Sequence, residues 1–261
     1  MPVPDLPFST SIRMLAGLMT NWPAEREEGL IPTDNAMGVM TTELSPAARS
    51  FVEMAATAGR PMLEIGAAYG SATIPALRAG ATVIANDLSA SELDVLAASV
   101  PEEERRRLVL FPARFPDELS FGRESLSGVL AAQVLHFLDG SAVERAFASI
   151  FQWLQPGGAF FVVVMTPSLS YYSALRPEYE ARAARGERWP GIFDPRTVAT
   201  PDWRDQLPAM VNLFEKDVLR RCAEEAGFVV ETLDYFCFER FPSKHRTDGR
   251  EYLTFTGRKP A

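Results

Sequence analysis

The fold of this chain is decided by the stretch Met62-Leu63-Glu64-Ile65-Gly66-Ala67-Ala68-Tyr69-Gly70-Ser71. Its apolar start is too short for a helix and is typical of a buried strand. Gly66 permits the positive φ that a sharp turn needs, and Gly70 would let a ligand approach the backbone closely. The helix that we expect from about Ser71 to Ala79 would direct its free N–H groups at the occupant of the turn.

A second apolar run, residues 82–86, ends at Asp87, which stands about twenty residues beyond Gly66. In nucleotide-binding α/β halves a carboxylate at this interval binds ribose hydroxyls, so we expect a cofactor of nucleoside type. A dinucleotide is disfavoured, because a GxGxxG fingerprint that begins at Gly66 would require glycines where Ala68 and Ser71 stand.

Composition limits the classes of protein. The chain has 261 residues, of which 47% are hydrophobic and 23% charged, as in an ordinary soluble protein. We expect no membrane partner, because no apolar run is long enough to span a bilayer. Residues 1–20 lack the pattern of a secretory signal, which favours a cytoplasmic location. The net charge of −8 argues against a nucleic-acid partner. Two cysteines and two histidines are too few for a structural metal site, so no metal is expected.

Strands and helices alternate from Arg60 to Thr166. Further strands are predicted at 107–111, 127–133 and 159–165, and helices are predicted to begin at Ser89 and Asp139. The turn Gln155-Pro156-Gly157-Gly158 is expected to end the second of these helices. Strands joined by helical crossovers indicate a parallel, doubly wound α/β sheet.

The pattern divides the chain into four parts. Residues 1–58 are expected to form a helical N-terminal lid, with one helix at 11–19 and another that begins after Ser45. Residues 59–166 form the nucleotide-binding core. Residues 167–211 are rich in proline, arginine and aromatic side chains and are expected to form a cap insertion. Residues 212–261 add a helix and an antiparallel strand pair to the core sheet.

Four features, taken in order, point to one family. They are Glu64-x-Gly66-x-x-x-Gly70, Asp87, the Gln155–Gly158 turn and Glu224-Glu225-Ala226-Gly227-Phe228. With them the chain resembles the class I S-adenosylmethionine-dependent methyltransferases over residues 60–166 and 214–256. The resemblance implies a Rossmann-like, seven-stranded, mostly parallel sheet with an antiparallel last strand. It also implies S-adenosyl-L-methionine as cofactor, S-adenosyl-L-homocysteine as product, and no metal.

The resemblance also implies the cofactor contacts. Gly66 and Gly70 would lie beneath the methionine part, Glu64 near its ammonium group, and Asp87 would accept hydrogen bonds from the ribose hydroxyls. A doubly hydroxylated ribose suits a bidentate acceptor, and a cationic sulfonium compound tolerates carboxylates nearby. The full set of expected cofactor-binding residues is Glu64, Gly66, Ala67, Ala68, Gly70, Asp87, Leu88, Ala113, Arg114, Phe115 and Gln133.

The chain departs from the family pattern at two of these places. Relatives often have a third glycine where Ala68 stands. After the third core strand they usually have an acid near the adenine amine, where this chain has Ala113-Arg114-Phe115. Phe115 would then stack on the adenine instead of accepting a hydrogen bond.

The acceptor side rests on fewer residues. His136 follows the fourth core strand and is a candidate general base, although a structural histidine bonded to a carbonyl is the alternative. Trp22, Tyr171, Tyr172 and Trp189 are candidates to line an apolar substrate site. The arginines at 176, 182, 185 and 188 would suit an anionic acceptor, but interleaved glutamates are typical of a solvated helix face.

The sequence therefore predicts S-adenosylmethionine-dependent methyl transfer to an oxygen or nitrogen of a small organic metabolite, by a monomer or homodimer. A nucleic-acid base is disfavoured as substrate, because Ala131-Ala132-Gln133-Val134 is not the Asn/Asp-Pro-Pro-aromatic signature expected after the fourth core strand. Two alternatives stay open. One is a protein methyltransferase, which an open groove would favour, and the other is a non-catalytic nucleoside-binding sensor.

Overall fold

The computed structural model of the chain describes residues 30–33, 39–199, 204, 207–240 and 246–261. The strands are β1 (Leu30–Pro32), β2 (Val39–Thr41), β3 (Met62–Ile65), β4 (Val83–Asp87), β5 (Leu108–Pro112), β6 (Leu126–Ala132), β7 (Leu154–Met165), β8 (Ile192–Phe193), β9 (Val211–Asn212), β10 (Val229–Phe236) and β11 (Tyr252–Arg258). The α-helices are α1 (Pro46–Ala55), α2 (Thr73–Arg78), α3 (Ala90–Ser99), α4 (Glu102–Arg105), α5 (Gly140–Trp153), α6 (Arg176–Ala184) and α7 (Lys216–Ala226). Short 3-10 segments lie at Leu135–Phe137, Ser170–Leu175 and Pro195–Thr197.

Seven strands form the central sheet in the order β10-β11-β7-β6-β3-β4-β5. Strand β11 is antiparallel to both of its neighbours, and the pairs from β7 to β5 are parallel. The predicted seven-stranded, mostly parallel sheet with an antiparallel last strand is confirmed. After β5 the chain returns to the other side of β3, so the order reverses between β3 and β6. A crevice is expected at the carboxyl ends of the strands at such a switch point.

Helices cover both faces of the sheet. One core cluster joins α1, α2 and α3 to side chains such as Met62, Val83 and Phe161. The other joins α5 and α7 to side chains such as Leu63 and Phe160. Successive side chains of a strand point to opposite faces, so strands covered on both sides are apolar along their whole length.

Parts of the expected lid and cap pack into this core. Phe51 of α1 is fully buried and meets Phe161 of β7 edge to face, with ring centroids 5.9 Å apart. Tyr172 and Tyr179 of the expected cap are buried in the same cluster. The helix expected at 11–19 lies outside the described residues. The division into lid, core and cap stays a prediction.

One predicted turn is wrong. Residues 155–158 do not end α5 in a turn, because β7 already begins at Leu154 and runs through them. The reason is pairing with the chain beyond β11. The Gly157 amide donates to the Lys259 carbonyl at 3.0 Å, and the Lys259 amide donates to the Gly158 carbonyl at 2.9 Å. The Lys259 ammonium also donates to the Leu154 carbonyl at 2.8 Å.

Substitution of Phe147 in α5 tests the packing of the second core cluster. Its ring centroid lies 5.1 Å from that of Phe160 and 6.1 Å from that of Phe255, so it ties α5 to β7 and β11. We expect Phe147→Ala to lower the free energy of unfolding by roughly 3–5 kcal/mol, because a buried ring is removed and a cavity remains. Urea denaturation measures this change. The exposed Val229→Ala is the control, with a change within about 0.5 kcal/mol. Equal effects of the two substitutions would contradict the described packing.

Candidate functional site

A crevice of about 260 Å³ opens at the carboxyl ends of β3, β4, β5 and β6. The sheet order places these four ends side by side, as expected for a switch point. Most of the cofactor-binding residues predicted from the sequence line it. They are Glu64, Gly66, Ala67, Ala68, Asp87, Leu88, Ala113, Arg114, Phe115 and Gln133.

The turn after β3 is fixed in an unusual backbone conformation. Gly66 has φ 70°, and a Cβ atom there would lie 2.4 Å from Cγ2 of Val134. Ala68 has φ 44°, which is uncommon for a residue with a side chain. This left-handed conformation gives a physical reason for a glycine at the position in relatives. Backbone strain of this kind clusters at ligand-binding sites.

Gly70 has a different reason to be glycine. Its φ is 87°, and an added Cβ atom would lie 2.2 Å from Cδ1 of Leu96. Close packing of the turn against α3 therefore excludes a side chain. Gly70 is not among the described residues that line the crevice, and its place beneath a cofactor stays a prediction.

Two backbone amides orient the buried carboxylate of Asp87. The Ala68 amide donates to Oδ2 at 2.9 Å, and the Ser89 amide donates to Oδ1 at 3.0 Å. Each carboxylate oxygen can accept a second hydrogen bond, so the group keeps acceptor capacity toward the crevice. Asp87 thus has the chemistry needed to bind a vicinal diol.

Glu64 is a second buried carboxyl group at the crevice. The Thr73 hydroxyl donates to its Oε2. Burial raises the pKa of Glu64 to about 7, and the negative charge of Asp87 adds to this increase, although the hydrogen bond from Thr73 opposes it. The crevice therefore holds a carboxyl group that is partly protonated near neutral pH and that a nearby cation would ionise.

Asn86 is a lining residue that the sequence analysis missed. Its side-chain amide donates to the carbonyls of Phe111 at 2.8 Å and Ala113 at 2.9 Å, so it fixes the chain where it leaves β5. This contact positions Phe115, which is buried, and Arg114, which is exposed. A polar residue inside an apolar strand was the signal that could have found Asn86.

The other end of the crevice follows β6. Gln133 has φ 60°, so a second non-glycine residue at the crevice has left-handed backbone. Its amide donates to the Val163 carbonyl at 2.8 Å, which ties this turn to β7. The crevice has further lining residues that the sequence did not indicate, among them Met40, Glu43, Leu44, Phe137, Leu138 and Phe238.

His136 lies behind the crevice wall. Its side chain is 1% exposed and does not line the crevice. Its ring nitrogens have no hydrogen-bond partner within the described ranges. Burial lowers the pKa of His136 to about 3, so the ring is neutral at neutral pH. The neighbouring Phe137, whose ring centroid is 4.3 Å away, is the residue that reaches the crevice.

The structure does not bring the predicted substrate aromatics to the crevice either. Tyr171 is exposed, and Tyr172 is buried in the core. Trp189 packs against Phe214, with ring centroids 6.5 Å apart. Trp22 lies outside the described residues.

Among the residues that the structure describes, no group of three or more His, Cys, Asp and Glu side chains is arranged to hold a metal ion. Within the same ranges, no helix has the length and apolarity needed to cross a membrane.

Comparisons with known proteins agree with the geometry. A family model described as a methyltransferase domain matches residues 63–162. No curated protein matches the chain significantly in sequence.

Among solved structures, an S-adenosylmethionine-dependent methyltransferase from Mesorhizobium loti has a TM-score of 0.59 and 19% identity, with 82% of this chain and 96% of that chain covered. An S-adenosylmethionine-dependent methyltransferase from Methanosarcina mazei has a TM-score of 0.61 and 16% identity, with coverage of 84% and 99%. The 1,6-didemethyltoxoflavin-N1-methyltransferase of Burkholderia thailandensis, solved with 1,6-didemethyltoxoflavin and S-adenosylhomocysteine bound, has a TM-score of 0.53 and 20% identity, with coverage of 83% and 79%. Residues 63–162 therefore match the model of a methyltransferase domain, and the chain has the Rossmann-like fold of the class I S-adenosylmethionine-dependent methyltransferases.

Proposed function

We propose that the protein transfers the methyl group of S-adenosylmethionine to an oxygen or nitrogen of a small organic molecule. The observation that carries this proposal is the pair of buried carboxyl groups, Glu64 and Asp87, at the ends of adjacent central strands and at one crevice. Burying two acids side by side is unfavourable unless a bound group offsets the cost. A ligand with a cationic sulfur, an ammonium group and a ribose diol would do so.

The crevice residues fit the parts of this cofactor. Asp87 would accept hydrogen bonds from both ribose hydroxyls, because the two backbone amides already fix its orientation. Glu64 would become ionised beside the positive charge. Leu88 is half exposed at the crevice, and it would cover one face of the adenine while Phe115 covers another part of the ring.

S-Adenosylmethionine, when bound, would supply an electrophilic methyl carbon. An acceptor oxygen or nitrogen would donate the electron pair of the new bond, sulfur would keep the pair of the broken carbon–sulfur bond, and the proton of the acceptor group would pass to solvent. The protein's part is to hold the acceptor in line with that carbon and to exclude water. The strained turns at Ala68 and Gln133 suit this role, because they bring backbone close to both sides of the crevice.

The limited volume of the crevice, about 260 Å³, supports a small acceptor. Besides the strand ends, it is lined by Met40, Thr41, Glu43, Leu44, Ser45 and Phe238, which limit its extent. The Burkholderia thailandensis enzyme of the same fold holds 1,6-didemethyltoxoflavin, a small molecule. A cytoplasmic location and a monomeric or homodimeric state remain parts of the proposal that stand on the sequence alone. His136 is given no base role in it, because its side chain is buried and does not line the crevice.

Asp87→Ala tests the ribose contact. We expect at least a tenfold loss of affinity for both S-adenosylmethionine and S-adenosylhomocysteine, equivalent to about 1.4 kcal/mol, because the diol acceptor is removed. Isothermal titration calorimetry measures the dissociation constants. The exposed Asp94→Ala is the matched control, and Asp87→Asn keeps the shape of the side chain if the alanine variant loses its turn. Unchanged affinity in both Asp87 variants would refute the ribose contact.

Glu64→Gln tests the buried acid. Because burial raises the pKa of Glu64 from 4.5 to about 7, the unfolded chain ionises first as the pH rises, and stability is lost between these values. Glutamine does not ionise. We therefore expect the variant to gain stability relative to wild type between pH 5 and pH 8, by roughly 1–3 kcal/mol, in the absence of ligand.

Urea denaturation at the two pH values measures this difference. Glu53→Gln on the exposed face of α1 is the control, for which we expect no such change with pH. If the stability difference between Glu64→Gln and wild type is the same at both pH values, the carboxyl group is not held in the described environment.

A further inference from the structure

We infer that the acceptor is an apolar, ring-bearing molecule without negative charge, an inference that rests on the proposed methyl transfer. The part of the crevice that would hold it is called the acceptor half. It includes Phe137 and Leu138, which follow β6, and Glu43, Leu44 and Phe238, which also line the crevice.

The sheet order defines which end is the acceptor half. Strands β4 and β5 lie on one side of β3, and β6 lies on the other. The expected ribose and adenine contacts, Asp87 and residues 113–115, follow β4 and β5. Phe137 and Leu138 follow β6, so they lie across β3 from the adenine contacts. An acceptor that approaches the methyl carbon from this side would contact the acceptor half.

The side chains of the acceptor half are mostly apolar and held in place. Phe238 is 2% exposed, and its ring centroid lies 5.1 Å from that of Phe236 and 5.0 Å from that of Tyr252. Leu44, Phe137 and Leu138 are partly buried. Apolar and aromatic side chains of this kind favour a ring with little hydration.

Glu43 ties the two segments of the acceptor half together. Its Oε1 accepts a hydrogen bond from the Glu239 amide and its Oε2 accepts one from the Arg240 amide, both at 3.0 Å. The chain before α1 is thereby joined to the chain after β10. The contact also keeps a negative charge at the acceptor half, since each oxygen still has acceptor capacity.

The charges at the crevice disfavour an anion. Glu43, Glu64, Asp87 and Glu92 line it, whereas Arg114 is the only cationic side chain among the described lining residues. Arg114 is exposed and follows β5, on the adenine side of the crevice. A carboxylate, sulfonate or phosphate in the acceptor half would therefore face like charge without a cation beside it.

The arginines of the expected cap do not change this balance. Three of the four arginines pair closely with a glutamate, Arg182 with Glu178 at 2.9 Å, Arg185 with Glu187 at 2.7 Å and Arg188 with Glu144 at 2.7 Å. The fourth, Arg176, lies 4.0 Å from Glu180. None of these arginines is among the described residues that line the crevice. Their charges are compensated by glutamates on the surface. The structure therefore does not support the role in binding an anionic acceptor that the sequence had left open.

Two fluorescent probes that share an aromatic scaffold test the inference. N-Phenyl-1-naphthylamine is uncharged, and 8-anilino-1-naphthalenesulfonate carries one negative charge. We expect the uncharged probe to bind protein saturated with S-adenosylhomocysteine at least tenfold more tightly than the sulfonate. Binding is followed by the rise in probe fluorescence. Equal or tighter binding of the sulfonate, or binding of neither probe, would overturn the inference.

Two variants test whether the probe binds in the acceptor half. Phe238→Ala should weaken the uncharged probe at least fivefold, whereas the exposed Val229→Ala should not change it. Glu43→Gln removes the charge while keeping an acceptor for one amide, and it should improve binding of the sulfonate more than that of the uncharged probe. An unchanged preference in Glu43→Gln and unchanged binding in Phe238→Ala would place the probe elsewhere and overturn the inference.

Calorimetry with S-adenosylhomocysteine separates this inference from the proposed function. If the nucleoside binds and the probe preference is absent, only the nature of the acceptor is wrong. If the nucleoside does not bind, the proposed function fails, and the inference about the acceptor fails with it.

Discussion

The hydrogen bond from the Ala68 amide to the Asp87 carboxylate is the contact on which the rest of the site depends. It joins the turn after β3 to the end of β4, and it holds Ala68 in left-handed backbone that the residue would otherwise avoid. The cost of that conformation is of order 1 kcal/mol, which a charge-assisted hydrogen bond can offset. The same bond orients the carboxylate, so the shape of the turn and the chemistry of the crevice have one cause.

The charges at the crevice determine which ligands it favours. Glu64 and Asp87 lie at the ends of paired strands, and removal from water disfavours ionisation of Glu64. A cation in the crevice would reverse this preference, and an anion would meet repulsion from both groups. The crevice is therefore prepared for a positively charged, diol-bearing ligand, and the charge of Glu43 extends the same preference toward the acceptor half.

Short-range patterns in the sequence predicted most of the fold. The run before Gly66, the capping residues Ser89 and Asp139, and the glycine at 227 gave strands and helices close to those in the structure, because hydrophobic period and caps act within a few residues. The turn at residues 155–158 was predicted wrongly, because its conformation depends on pairing with Lys259, which is far along the chain.

Only the site residues that directly follow the ends of the core strands were predicted from the sequence. The residues after β3, β4 and β5 line the crevice as expected. The contact of Glu43 with Glu239 joins segments 196 residues apart, and local patterns carry no information about it. The sequence could not predict the position of the His136 side chain either. His136 and Phe137 are neighbours in a short 3-10 segment, and only Phe137 lines the crevice.

The most direct test of the central claim is a crystal structure of the protein with S-adenosylhomocysteine. The described geometry predicts electron density for the nucleoside in the crevice, with both ribose hydroxyls about 2.5–3.0 Å from the Asp87 carboxylate oxygens. A crevice that stays empty at saturating ligand, or a nucleoside bound away from Asp87, would contradict it.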